Sequence, residues 1–169
     1  MNEGLDPCLT ALREAKKRLK EEYEVTSLLD EEERRLVVPV LGSDLNLIYN
    51  AVCVSDDRVR VLSIVKGVWE LINELSTDAK LGILRRLLQI PAQFKVAISI
   101  DSDGDLLFEP WASSINEVSD EEVCDSFMLS IIFAKWLMDQ LRNAREGKPI
   151  EEFRLGRGGG DKVETIKII

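Results

Sequence analysis

Leu5, Leu9, Leu12, Leu19 and Tyr23 recur with a helical period, while Arg13, Lys16, Lys17 and Lys20 fall on the opposite side. The spacing predicts an amphipathic helix of about 17 residues. Asp6 followed by Pro7 supplies an N-cap and a proline at the first helical position, where a missing N–H costs nothing. The acidic run at 30–33 reads as a solvated turn. Three short segments with strand character follow: 36–41 (LVVPVL), 46–54 (NLIYNAVCV) and 58–65 (RVRVLSIV). Pro39 suits an edge or a bulge. The links, Gly42-Ser43-Asp44 and Ser55-Asp56-Asp57, are turn chemistry and short, so the three strands form an antiparallel meander.

Residues 68–74 read as a short helix, and Ser76-Thr77-Asp78 caps a second one carrying Leu81, Leu84, Leu87 and Leu88, with Pro91 expected to stop it. The segment 94–100 (FKVAISI) alternates with period two, Asp101-Ser102-Asp103-Gly104-Asp105 turns, and 106–111 returns as a hairpin. Ser119-Asp120-Glu121-Glu122 is a capping box opening a helix to about Arg145. That helix is apolar over most of its circumference, so it lies deep in the fold or adds a partner subunit. After Gly147-Lys148-Pro149 the pattern dissolves. Residues 154–162, with Arg154, Arg157 and Lys162, resemble a flexible linker, and 163–169 (VETIKII) suits an added edge strand. The expected architecture is α+β: a five-stranded antiparallel sheet, made of a three-strand meander plus a hairpin. It is packed with an N-terminal helix, a middle helical pair and a long C-terminal helix. Residues 1–146 form one domain and 147–169 a flexible tail.

The chain of 169 residues, 45% hydrophobic and 31% charged, has the composition of one globular domain. Cys8, Cys53 and Cys124 are odd in number, far apart and not in CxxC spacing. Reduced thiols are therefore expected, rather than a disulfide framework or a thiolate zinc site. The N-terminus lacks the basic-then-apolar pattern of a signal peptide, and the longest apolar run, 127–138, is interrupted by Ser130 and Lys135. A soluble, cytoplasmic protein with no membrane partner is expected. Abundant charge beside three Gln is a compositional hint of a thermophile.

Histidine is absent, which removes the commonest general base and every imidazole ligand. Asp101-Ser-Asp103-Gly-Asp105 resembles a calcium loop, but its glycine is fourth instead of sixth and Ala112 stands where the twelfth-position glutamate belongs. Gly156 to Lys162 fails the spacing of a phosphate loop. The paired carboxylates, Glu31 with Glu33 and Glu121 with Glu122, sit where turns and helix starts favour acid. No catalytic residue, metal or cofactor is assigned, and the chain is read as a binder, not an enzyme.

The suggestive group is basic and aromatic. Arg58 and Arg60 share one face of a strand, Leu47 and Tyr49 one face of the preceding strand. Arg85 and Arg86 interrupt a leucine-rich helix, Lys95 alternates outward from Phe94, and Trp69 and Trp111 lie at element ends. Rings beside guanidiniums suit unstacked bases and their phosphates; equally, the arginines face water and the rings fill the core. A two-residue turn at Asp56-Asp57 lets Tyr49 and Arg60 share a face, and a one-residue shift separates them. The net charge of −9 opposes a surface that wraps nucleic acid all round, though not a local basic cleft.

The segments NLIYNAVCVSDDRVRVLSIV and FKVAISIDSDGDLLFEPW and the order of elements over residues 5–146 resemble the type III secretion chaperone-like fold, including YbjN-type regulators. Within it they resemble the archaeal ThermoDBP-related family, which binds single-stranded DNA or RNA without an OB fold. The resemblance implies a cleft over the sheet, with Leu47 and Tyr49 touching bases and Arg58, Arg60 and Arg85 touching phosphates. It implies sequence-tolerant binding of single-stranded DNA or RNA, the alternative being a protein-interaction or chaperone-like module. Founding members carry a C-terminal leucine zipper, which this chain lacks. A homo-oligomer, dimer or tetramer, is then expected through the helix at 120–145 or the terminal strand.

Overall fold

The computed structural model describes residues 6–42, 45–110 and 118–155. The first helix, α1 (Pro7–Tyr23), begins where Asp6 accepts a hydrogen bond from the Leu9 N–H at 3.0 Å. It buries Cys8, Ala11, Leu12, Ala15 and Leu19 and leaves its lysines in water. Strand β1 (Leu28–Asp30) then pairs with β2 (Arg35–Leu41), and β3 (Asn46–Ser55) and β4 (Arg58–Val65) complete a meander. After α2 (Val68–Asn73) and α3 (Thr77–Gln93) come the hairpin strands β5 (Val96–Ile100) and β6 (Leu106–Pro110), and finally α4 (Asp120–Arg145).

The sheet has six antiparallel strands in the order β1-β2-β3-β4-β6-β5, not the five expected. The missed strand, β1, is three residues long and runs straight into the acidic turn. Leu28 pairs with Val37 and Asp30 with Arg35, and Asp30 Oδ1 caps the turn by accepting from the Glu33 N–H at 3.0 Å. A three-residue strand is too short to leave a period-two signature. Pro91 also behaves differently from expectation. It lies in the last turn of α3, which runs on to Gln93, where the Phe94 N–H still reaches the Ile90 carbonyl at 2.9 Å. A proline so near the end removes one donor without any helix beyond it to break.

All four helices lie on one side of the sheet, with α4 touching α1, α3, β3, β4 and β6. Its apolar circumference is used up inside the fold: Phe127, Ile131, Phe133, Ala134 and Leu137 are fully buried. Two polar contacts lock it to the sheet. The Tyr49 hydroxyl lies 2.9 Å from the Val123 carbonyl and 2.7 Å from Ser126 Oγ, and Ser63 Oγ donates to Ser130 Oγ at 2.7 Å. Buried hydroxyls satisfied in pairs cost little and fix the helix rotation.

The packed body does not stop at residue 146. Gly147, with φ 70°, reverses the chain after α4, and the Glu151 N–H reaches Gln140 Oε1 at 2.6 Å. Phe153 is then buried edge-on against Phe94, Phe133 and Trp136. Ile150 crosses α3 at Gly82, where a Cβ would lie 2.8 Å from its Cδ1. Glycine permits that crossing. Arg154 is exposed and paired with Glu152, while the rest of the expected tail (Gly156, Arg157, Lys162 and the edge strand at 163–169) lies outside the described residues.

Cys8 and Cys53 form a disulfide, contrary to the expectation of free thiols, with their Cα atoms 5.9 Å apart. Sequence spacing gave no sign of it because the pairing is made by tertiary approach: the Cys8 N–H donates to the Asp56 carbonyl at 2.9 Å, bringing the start of α1 onto the β3–β4 turn. Arg34 reinforces the junction. Its guanidinium lies 2.8 Å from Asp6 and 3.1 Å from Asp56, from a residue held at φ 50°. Cys124 is free and buried, and burial pushes its thiol up to about 11. No helix among the described residues is long and apolar enough to cross a membrane.

Candidate functional site

Tyr49 pairs with Ser63 and Val52 with Arg60, so Tyr49 and Arg60 point to opposite faces. The hairpin does turn over two residues, but the register shifts between Cys53 and Ser55, where Val54 is an extra residue. One inserted residue exchanges the faces of everything after it. Leu47 and Tyr49 are at 0% exposure under the helices. The expected base contact at these two positions is therefore corrected: neither side chain reaches the surface. Burial raises the Tyr49 phenol far above its usual range, outweighing the Ser126 hydroxyl that favours ionisation.

The opposite face of the sheet carries no helix, and none of its side chains is fully buried. Its rows follow from the register. Pro39, Ile48, Ile64, Leu107 and Ser99 cross five strands in one line; Leu28, Val37, Asn50 and Leu62 form a second. A third runs Asp30, Arg35, Val52, Arg60. At about 4.8 Å between strands, Arg35 and Arg60 stand about 10 Å apart across Val52. Arg58 is exposed one pleat further along the same strand. Arg60 reaches Glu109 at 2.5 Å, and Lys66 reaches Asp105 at 2.5 Å at the far end of the strand. This is an aliphatic floor bordered by guanidiniums. Among the described residues it holds no aromatic ring.

The remaining candidates do not converge on it. Arg85 is exposed on α3, within the helical layer, and Arg86 there donates to Gln89 at 3.2 Å. Trp69, 37% exposed on α2, lies against Gly104 and donates its backbone N–H to the Gly104 carbonyl at 2.9 Å. Lys95 is exposed immediately before β5, at the outer edge of the sheet. Trp111 lies outside the described residues. Arg35, Val37, Ile48, Leu62 and Ile64, which shape the open face, were not singled out from the sequence. Arg35 fell one residue before the strand expected at 36–41, and the alternation of the others reads equally well as core.

The acidic motif at 101–105 is a hairpin turn, as expected. Asp101 Oδ1 accepts from the N–H groups of Asp103 and Asp105, and Gly104 takes φ 81°. Burial by itself would raise the Asp105 carboxyl, but Lys66 and the Gly67 N–H outweigh it and hold it below the usual range. Among the described residues no group of three or more His, Cys, Asp or Glu is arranged to hold a metal. A cavity of about 250 Å³ opens on the helical side, floored by Val59, Val61, Pro110 and Leu129. Glu122 and Asp125 rim it, so it repels phosphate. No family model, curated protein or solved structure matches the chain.

Proposed function

We propose that the helix-free face of the sheet binds single-stranded nucleic acid with little regard to sequence. One observation supports this reading above the rest: on a chain of net charge −9, this face gathers Arg35, Arg58 and Arg60 around an aliphatic floor. Its bordering acids are Asp30, Glu109 and Asp105, the last paired with Lys66. Local field, not total charge, attracts a polyanion. Guanidiniums take phosphates, while Ile48, Leu62, Ile64 and Leu107 offer apolar contact to unstacked bases and Asn50 an amide for their edges. Titration of labelled single-stranded oligonucleotides by anisotropy tests the proposal. Binding should weaken steeply as salt rises, and absence of binding to both DNA and RNA at low salt overturns it.

The aliphatic character of the floor favours a second reading, a module that docks an extended polypeptide. Stacking rings typify single-strand binders, and none is on the described face. Exposed Leu28, Pro39 and Leu41 border the same surface. That reading predicts salt-insensitive capture of an apolar peptide and indifference to oligonucleotides.

A further inference from the structure

Helix α3 is apolar on two sides. Ile83, Leu87 and Ile90 are buried in the core, yet Leu81 is 55% and Leu88 77% exposed. With the half-buried Leu84 and exposed Ala92 they follow one another at spacings of three, four and four, forming a continuous outward stripe. Asp78 and Arg85, seven residues apart, flank that stripe on the same side. Among the described residues neither has an ion-pair or hydrogen-bond partner. The stripe thus has acid one turn before its first leucine and base near its middle.

Such a stripe is complementary to itself when reversed. We propose that α3 is a self-association surface, on which a second copy of this chain docks its own α3 antiparallel about a two-fold axis. Two of the registers that bring leucines together place the flanking charges differently. If Leu81 meets Leu88 of the second copy, the axis falls near Arg85 and sets two guanidiniums side by side. If Leu81 meets Leu84 of the second copy, each Asp78 faces the other copy's Arg85, so the contact is made twice. The charges select the second register, as flanking charges do in antiparallel helix pairs. An isologous contact of this kind closes on itself as a dimer. A seam along a helix of about 25 Å is smaller than a standard interface of roughly 800 Å² per partner, so the dimer should be concentration-dependent. The surface is separate from the open face of the sheet. It also replaces the expected route through α4, whose apolar residues are already engaged in the core.

Sedimentation velocity of the full chain over a wide concentration range tests this, with circular dichroism as a folding control. Wild type should shift from the mass of one chain to that of two. Leu88→Asp, at an exposed position, should keep the fold and abolish the shift. Asp78→Arg and Arg85→Asp should each weaken the dimer by roughly tenfold or more, and the double reversal Asp78→Arg/Arg85→Asp should restore it. A monomer at every concentration overturns the proposal, and so does a dimer indifferent to Leu88→Asp. A double reversal no tighter than either single variant overturns the antiparallel register.

Discussion

Tyr49 and Arg60 stand on opposite faces of the same hairpin, separated by the one extra residue, Val54, that β3 carries opposite β4. Were Val54 paired in the ladder instead of bulged, the two-residue turn at Asp56-Asp57 would place both on one face. Val54 itself is 58% exposed, so its side chain contributes little to the core. Its place outside the ladder is what matters. Deleting Val54 should therefore close the bulge with Ser55 still opposite Arg58 and Cys53 opposite Val59, whereas deleting Asn50, inside the ladder, should turn either Leu47 and Tyr49 or Ala51 and Cys53 away from the helices. Urea unfolding should then show a loss of most of the stability for the Asn50 deletion and a much smaller one for the Val54 deletion. Equal effects of the two changes would contradict the role given to the bulge.

Arg60 is already engaged by Glu109, so the proposed face contains its own competitor for phosphate. Glu109→Gln should free that guanidinium and remove a negative charge, raising oligonucleotide affinity. Arg35→Ala and Arg60→Ala should lower affinity and flatten the salt dependence, by somewhat under one unit of slope for each phosphate that is no longer neutralised. Arg85→Ala, on the helical layer, should leave binding unchanged. Anisotropy titrations of these variants at several salt concentrations check the ranking, and a stronger effect at Arg85 than at Arg35 would contradict it.

Cys8 and Cys53 close a loop with a sequence separation of 45. By chain entropy such a cross-link contributes about 4 kcal/mol, which for a chain of this size corresponds to a shift on the order of 10 °C in Tm. Cys53→Ser should lower Tm by about that amount, and wild type in excess reductant should match it. A reductant-insensitive melting curve would show the bond absent in solution.

The Asp105 carboxylate accepts from Lys66 and the Gly67 N–H while almost fully buried. Its folded-state pKa lies below the ordinary 3.8. A depressed carboxyl contributes stability that is present above the unfolded value and lost as pH falls through the folded one. Asp105→Asn should therefore be less stable than wild type at neutral pH. The difference should shrink once pH drops below about 3.8. Denaturant midpoints measured from neutral to acid pH check the convergence. A gap that stays constant would mean that the charge is not responsible.

Much of the fold was legible because its elements end on strong local chemistry. Asp6-Pro7, Ser76 and Ser119 cap three helices where the capping residues say they should. The periodicity of α4 identified a helix buried nearly all round. What escaped was set by distance or by single residues. The return of Phe153 to the core depends on a ring cluster assembled from α4 and residue 94, and neighbouring residues in the chain carry no trace of it. The disulfide and the Arg34 junction are likewise products of approach between remote segments. The candidate face was misassigned because its identity turns on parity. Leu47 and Tyr49 alternate as cleanly as Ile48 and Asn50, and only the helices decide which set meets water.

The cross-link between α1 and β3 has a consequence for how the molecule opens. Residues 8–53 form a covalent ring holding α1 and the first three strands, so these elements cannot separate fully while the bond is intact. The other end of the sheet, β5 and β6, is held by pairing with β4, by aromatic contacts and by the Arg60–Glu109 and Lys66–Asp105 pairs, with no cross-link among the described residues. Fluctuations that expose the interior should therefore begin beside Phe94 and Phe153. The ringed half should remain the most protected from hydrogen exchange.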